Sequence, residues 1–175
     1  MVSAIVCVDD NWGIGYQNNL LISIPEDMKF FKEMTTGNMV IMGRKTYDSL
    51  SVKPLPNRIN VVITSNINEN NIIEVSKDNV MYTNMDAIKE FLLHPDFVPY
   101  DIYIIGGASV YKELLPYCDR AFVTKVEHTF ENVDTYFPNL DELDDWHIDE
   151  IGDALEYNGI CYRFCTYENE KTVIE

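Results

Sequence analysis

Five near-continuous apolar runs, at 2–8, 39–42, 59–63, 101–105 and 121–126, punctuate the chain. Runs of this length without polar alternation suit strands covered on both faces, as in a largely parallel sheet flanked by crossover helices. Helical periodicity fills the intervals. It predicts helices over 25–35, in a short segment after Arg44, over 84–93 with Met85, Ile88, Phe91 and Leu92 on one stripe, and over 108–115 with Tyr111, Leu114 and Leu115 before a stop at Pro116. This βαβ alternation predicts an α/β fold. Beyond about residue 147 the pattern changes: Asn158-Gly159 lies between two strand-like segments within 155–161, a type I′ hairpin signal, so an antiparallel pair is expected to close one edge. No repeat, low-complexity tract or linker divides the 175 residues, and the expectation is a single domain, 1–175.

The helix at 25–35 organises the rest. Pro25 suits a first helical position, and Ser23 with Glu26 matches a capping box. Phe30, Phe31 and Met34 fall on one face and Glu26, Lys29 and Glu33 on the other, yet Asp27 falls on the apolar face. Two readings stand. A carboxylate on apolar surface is costly unless a ligand or cation needs it; a first-turn acid is also favoured by the helix dipole.

A hydrophobic content of 46% excludes a disordered chain, and a formal charge of −16 argues against nucleic acid or an anionic membrane as partner. The charge is uneven: residues 1–100 carry 8 basic and 12 acidic groups, residues 101–175 carry 5 and 17. Against that background Arg44, Lys45, Lys53 and Arg58 stand with only Asp48 among them. Such a run is solvated surface unless its context supports an anion. Cys7, Cys118, Cys161 and Cys165 show neither a C-x-x-C nor histidine pairing at metal spacing, so free thiols in a reducing compartment and no metal are expected. The apolar start at 2–8 is too short for a signal peptide or a span, and a cytoplasmic protein is expected.

Three loops carry candidate chemistry. Asp10 to Asn19 holds two glycines and Trp12 just before the Asp27 helix; read alone it is an ordered connector, though loops of this kind also act as lids. In Ile104 to Tyr111 a buried strand meets Gly106-Gly107 and a helix start, an arrangement that lets backbone N–H groups approach a phosphate. It is not G-x-G-x-x-G, which argues against a generic Rossmann site. Val40 to Thr46 repeats the device with Arg44, Lys45 and a hydroxyl. Two such turns suggest a long ligand with more than one phosphate, and Thr64-Ser65 ends a third strand with hydroxyls.

Taken together the chain resembles the dihydrofolate reductase family. The motifs are Trp12-Gly13-Ile14-Gly15, Asn18 to Leu20, Ile24-Pro25-Glu26-Asp27, Val40 to Thr46, Pro54 to Arg58, Ile105-Gly106-Gly107, Val110-Tyr111, Thr124 and Thr135 to Pro138, in order and at family spacing over nearly the whole chain. The resemblance implies a mostly parallel central sheet of about eight strands with about four flanking helices and the C-terminal antiparallel hairpin. It implies NADPH-dependent reduction of 7,8-dihydrofolate to 5,6,7,8-tetrahydrofolate, with hydride transfer to C6 and protonation at N5, and inhibition by antifolates. Asp27 would accept hydrogen bonds from the 2-amino and ring N–H groups of the pterin, braced by Thr124. Ile5, Phe31, Leu50, Leu55 and Ile105 would line the substrate pocket, and Arg58 would clamp the α-carboxylate of the glutamate tail. For NADPH, Arg44, Thr64 and Ser65 would hold the 2′-phosphate, Lys45 and Thr46 the pyrophosphate region, and Gly106, Gly107, Ala108 and Ser109 the other turn. Cys7, Ile14, Gly15, Asn18, Gly43, Lys77, Ile105, Val110 and Tyr111 complete the implied cofactor contacts, with Tyr111 near the nicotinamide. The loop from Asp9 to Ile24, with Leu20 at its tip, would close over the reacting rings. A cis peptide between Gly106 and Gly107 is also implied.

Two departures stand out. Leu21-Ile22 replaces a common Pro-Trp, removing an indole N–H and a rigid wall beside the pterin, and Ser109 stands where some members carry an arginine. A riboflavin-pathway reductase of the same fold would share the NADPH site without needing Asp27 and Arg58, and a non-catalytic folate- or nucleotide-binding protein would lack turnover. A monomer is expected, since no apolar surface stripe is evident.

Overall fold

The computed structural model describes residues 1–67 and 73–173. The chain runs β1 (Val2–Val8), β2 (Gly13–Tyr16), β3 (Asn19–Leu20), α1 (Pro25–Thr35), β4 (Met39–Gly43), α2 (Arg44–Ser49), β5 (Ile59–Ile63), β6 (Ile73–Val75), β7 (Met81–Thr83), α3 (Met85–Leu92), β8 (Ile102–Gly106), α4 (Ala108–Leu114), β9 (Arg120–Val126), β10 (Thr135–Tyr136), β11 (Trp146–Ile151), β12 (Leu155–Tyr157) and β13 (Ile160–Asn169). The five apolar runs all become strands of one sheet, in the order β11-β13-β9-β1-β8-β4-β5-β7-β6, with β12 paired to β13. From β9 to β7 every pairing is parallel; β13, β11 and β12 add antiparallel strands at one edge and β6 at the other.

Strand alternation divides the core into two layers. Val2, Ala4, Val6 and Val8 of β1, Met39 and Ile41 of β4, and Ile102 and Ile104 of β8 face the layer holding Ile88 and Leu92 of α3 and Val110 and Leu114 of α4. The intervening Ile5, Val40, Met42 and Tyr103 face Phe30, Phe31 and Met34 of α1 and Tyr47 of α2. Chain direction across the sheet reverses at β1: the path leaves it toward β4, β5 and β7, then returns through β8 to β9 on its other side. In open α/β sheets the crevice outside the carboxyl ends of the strands at such a point is where ligands bind.

Several local expectations need correction. No capping box forms at Ser23, because the helix N-cap is Ile24, without a side-chain cap bond, and Pro25 takes the first helical position. Ile24 is 1% exposed and packs with Val126 and Tyr162; a buried aliphatic of this kind stabilises by roughly 1.5–3 kcal/mol, a stronger anchor than a serine cap. The 10–19 stretch is not a plain connector: β2 and β3 form a hairpin closed at Gln17 (φ 49°) and Asn18 (φ 62°), and β10 adds a third strand to β2. The C-terminal hairpin does turn at Asn158 (φ 51°) and Gly159 (φ 78°), both left-handed as a type I′ turn requires. Beyond it β11 forms an edge strand on β13.

Candidate active site

Four parallel strands, β1, β4, β5 and β8, end at Val8, Gly43, Ile63 and Gly106 along one edge of the sheet. Above that edge, on the α1 face, lie the side chains expected to receive the substrate. Asp27 is the third residue of α1, so it meets the helix dipole and the apolar face at once. Thr124 of β9, registered opposite Cys7 of β1, donates its hydroxyl to Asp27 Oδ1 at 2.6 Å. Burial is the larger influence on Asp27 and raises its pKa above the ordinary carboxyl value; the Thr124 bond offsets part of that. Both readings of Asp27 therefore hold in part, since it is a first-turn acid that still suffers desolvation.

Around it Ile5, Phe31, Leu50, Leu55 and Ile105 gather in one cluster, all but Ile5 only half-buried, which leaves an apolar wall open to a ligand. At the outer end of this wall Arg58 lies 6.0 Å from the Phe31 ring, donates Nε to Pro56 O at 2.9 Å and Nη1 to Thr35 Oγ1 at 3.1 Å, and its pKa is lowered by burial. Thr35 itself is fully buried and donates to Phe31 O at 2.7 Å, fixing the guanidinium to the last turn of α1. At the inner end the Tyr111 hydroxyl donates to Ile5 O at 2.7 Å; burial pushes its pKa up, and the Asp27 charge adds to this. Burial and then Asp27 likewise push up the Cys7 thiol.

The two strand-to-helix turns touch one another. Met42 of β4 registers with Gly106 of β8, and a Cβ at Gly43 would stand 3.2 Å from Val110 Cγ2 and 3.8 Å from Gly107 N. Gly106 has φ 119°, which a side chain rarely adopts, and a Cβ at Gly107 would stand 3.3 Å from Thr46 Oγ1. The Gly106–Gly107 peptide is cis, as the resemblance implied. Neither α2 nor α4 has a side-chain N-cap, so their first-turn N–H groups face the gap beside Lys45, Thr46, Ala108 and Ser109. A phosphate-bearing cofactor fits this cradle because its walls are glycine backbone where any side chain would intrude.

Arg44 is exposed, pairs with Asp48 at 3.2 Å and stacks its guanidinium 5.3 Å from the Tyr82 ring. Tyr82 belongs to β7 and carries no sequence signal of this role, because nothing local in Met81–Thr83 marks it as lying under Arg44. Thr64 is half-buried and accepts from Asn66 N at 3.2 Å, and Ser65 is exposed at the same edge. Lys77 does not join them. It sits exposed in the turn before β7, and since β7 runs parallel to β5, that turn lies at the opposite, amino-terminal end of the strands from Thr64-Ser65.

Over the edge lies the β2–β3 hairpin. Ile14 is buried and Leu20 is 65% exposed at its end, while Ile22 packs against the cluster of Ile24, Val126 and Tyr162 that Cys7 also joins. Gly15 is pressed between Thr135 and Asn19, where a Cβ would come within 2.7 and 3.0 Å of their oxygens. Asp134 fastens the turn, accepting from Gln17 N at 2.9 Å while its own N–H donates to Gly15 O at 3.0 Å. Asp134 and Thr35 were also unmarked by local pattern, as each acts on residues far away in the chain.

The chain matches the family model described as dihydrofolate reductase over residues 1–169. It is 37% identical over 178 residues to the dihydrofolate reductase of Bacillus subtilis, covering 98% of this chain and 96% of that one. It is 33% identical to the dihydrofolate reductase of Staphylococcus aureus over 147 residues, covering 84% and 83%. Among solved structures, dihydrofolate reductase from Enterococcus faecalis complexed with NADP(H) and RAB-propyl superposes with a TM-score of 0.80 at 33% identity, covering 98% and 97% of the two chains.

Proposed function

The chain belongs to the dihydrofolate reductase family and reduces 7,8-dihydrofolate to 5,6,7,8-tetrahydrofolate with NADPH, and we propose that Asp27, braced by Thr124, is the carboxylate that binds and polarises the pterin. The observation that carries this assignment is a half-buried acid on an apolar wall with one described hydrogen-bond partner. A carboxylate so poorly solvated gains more from two pterin N–H donors than an exposed one does. Its negative charge in a site of low dielectric also favours a proton at N5. Ile5, Phe31, Leu50, Leu55 and Ile105 pack the ring system, and Arg58, held by Thr35, presents its remaining N–H groups to the α-carboxylate of the tail.

NADPH supplies the hydride that goes to C6. On this chain the Gly43 and Gly106-Gly107 turns, with Lys45, Thr46, Ala108, Ser109 and Val110, would hold its phosphates, and Arg44 with Thr64 and Ser65 would meet the 2′-phosphate. Tyr111, Cys7, Ile14, Gly15 and Asn18 would surround the nicotinamide end. Leu20 and Ile22, carried by the hairpin, would exclude water from the reacting rings. The apolar wall ending in a carboxylate also suits antifolates that present an amino-pyrimidine edge. A monomer working in the cytoplasm completes the reading; no described helix is long and apolar enough to cross a membrane.

A reductase acting on a ribosyl-pyrimidine would have no use for Arg58 facing the Phe31 wall. Steady NADPH oxidation that requires dihydrofolate and is not supported by the ribosyl-pyrimidine is the expected result. Oxidation with the ribosyl-pyrimidine alone would overturn the substrate assignment.

A further inference from the structure

Within the apolar run of β5 one residue is out of character. Asn60 registers with Val40 of β4 and shares a sheet face with Val62, where the alternation calls for an aliphatic, and it is 2% exposed. A carboxamide buried without partners is costly, but this one is satisfied. Oδ1 accepts from Leu55 N at 2.9 Å, while Nδ2 donates to Leu55 O at 2.9 Å and to Arg58 O at 3.1 Å. Turned end for end, the amide would set its N–H₂ against the Leu55 N–H and its oxygen against two carbonyls, so the backbone around it accepts one orientation. Its bonds go to the two ends of the 55–58 turn, and those ends carry the aliphatic wall and the guanidinium assigned above to the substrate.

Arg58 is thereby fixed twice. Thr35 of α1 accepts from its Nη1 and Asn60 of β5 holds its carbonyl, so the guanidinium is set between the helix and the sheet. The middle of the turn already has an anchor, since Asn57 O accepts from Gly37 N at 2.8 Å just beyond α1. What Asn60 adds is a fixed separation between Leu55 and Arg58: a two-point pairing with the first and a third bond to the second. We propose that Asn60 is a positioning residue for substrate selection: by holding Leu55 and Arg58 at a set spacing, it matches the pocket to a substrate whose benzoyl group is followed by a carboxylate. The proposal rests on the reading of Arg58 as the clamp for the glutamate tail. Asn60, buried beneath the turn, acts through these two residues.

Two variants of the full chain separate this role from a structural one. Asn60→Asp keeps the size and the acceptor for Leu55 N but sets a carboxylate oxygen against the Leu55 and Arg58 carbonyls; Asn60→Leu keeps the size and removes all three bonds. A thermal unfolding curve is recorded for each, and either variant that folds carries the test. Steady-state kinetics at saturating NADPH compare 7,8-dihydrofolate with 6-methyl-7,8-dihydropterin, which has the reacting ring without the benzoyl group or the tail, and each variant is repeated in an Arg58→Ala background. The expected result is a KM for dihydrofolate raised about tenfold with kcat within about threefold of the parent, kcat/KM for the tail-less pterin within about twofold, and a loss that shrinks to about twofold or less once Arg58 is gone. An unchanged KM for dihydrofolate, equal fractional losses on both substrates, or a loss undiminished in the Arg58→Ala background would make Asn60 a structural residue and overturn the proposal. Arg58→Ala alone with an unchanged KM for dihydrofolate would overturn the clamp, and the proposal with it. A parent chain that turns over neither substrate would instead overturn the functional reading itself.

Discussion

Gly43→Ala offers a clean test of the two adjoining turns. The backbone at Gly43 has φ −75° and ψ 162°, ordinary extended values that alanine adopts without strain, so the perturbation is steric alone. The added methyl would meet Val110 Cγ2 at 3.2 Å, with Gly107 N at 3.8 Å and Gly106 O at 3.9 Å behind it. Val110 is buried and β-branched in a helix, where its rotamer is nearly fixed, so α4 must shift by a few tenths of an ångström and widen the gap between the turns. Overpacking of this sort costs about 1–3 kcal/mol, and if it falls on the bound geometry NADPH affinity drops by roughly 5- to 150-fold. Isothermal titration with NADPH, and with dihydrofolate as the control, reads both sides of the site. Affinity for NADPH should fall while that for dihydrofolate changes little. Trimming the neighbour in the double variant Gly43→Ala/Val110→Ala should recover part of the loss relative to Val110→Ala alone, a coupling the cycle isolates. Unchanged NADPH affinity in the single variant, or no recovery in the double, would refute contact between the turns as the feature that shapes the cofactor site.

Arg44→Ala should weaken NADPH far more than NADH, whereas Asp48→Asn should strengthen NADPH by about twofold at low salt by freeing Arg44 from an exposed pair of the kind worth roughly 0.3–0.5 kcal/mol; equal losses for both cofactors in Arg44→Ala would make Arg44 structural. Thr35→Val removes the acceptor for Arg58 Nη1, and since hydrogen bonds to charged groups contribute roughly 1.5–3 kcal/mol, steady-state kinetics should show KM for dihydrofolate rising about tenfold with NADPH binding intact. An unchanged KM would mean that Thr35 does not position Arg58. Asp27→Asn should stabilise the ligand-free chain at neutral pH. Burial raises the Asp27 pKa above its unfolded value, so between the two values the folded state binds more protons and the fold loses stability as pH rises through the raised pKa. Urea unfolding of parent and variant should therefore converge in acid and separate toward neutrality; curves that stay parallel at all pH values would show that Asp27 is not desolvated.

What the sequence made legible follows from the range of the interactions involved. The central parallel strands announce themselves because burial on both faces demands unbroken apolar runs such as Val40 to Met42 and Ile102 to Ile105, and Asn158-Gly159 marks its turn by local backbone preference alone. Trp146–Ile151 did not stand out, since His147, Asp149 and Glu150 interrupt its apolar positions and the strand, exposed beyond Trp146, exists by pairing with β13. The hairpin at Gly13–Leu20 was hidden for the same reason: its pairing with β10 joins residues about 120 positions apart. Asp27 was conspicuous as an acid on an apolar face, but Thr124 and Arg58 acquire meaning only when β9 and the 53–58 segment are brought beside α1. Ser23 misled because the S-x-x-E spacing is a local signal; the helix starts at Pro25 as expected, but its N-cap is the buried Ile24, one residue later than Ser23. Lys77 was expected from the resemblance alone, and nothing local to it says at which end of the strands its turn will lie.

The assignment of Asp27 is tested most directly by the pH dependence of kcat/KM for dihydrofolate in the parent chain and in Asp27→Asn. The parent should lose rate as pH rises through one apparent ionisation, because the proton needed at N5 becomes scarce. In the variant the amide faces the pterin donors, so kcat/KM should fall steeply at neutral pH and recover in part as the medium becomes acid and solvent protonates the substrate, while NADPH affinity stays near the parent value. A variant with the parent's pH profile and near-parent kcat/KM would contradict the role given to Asp27.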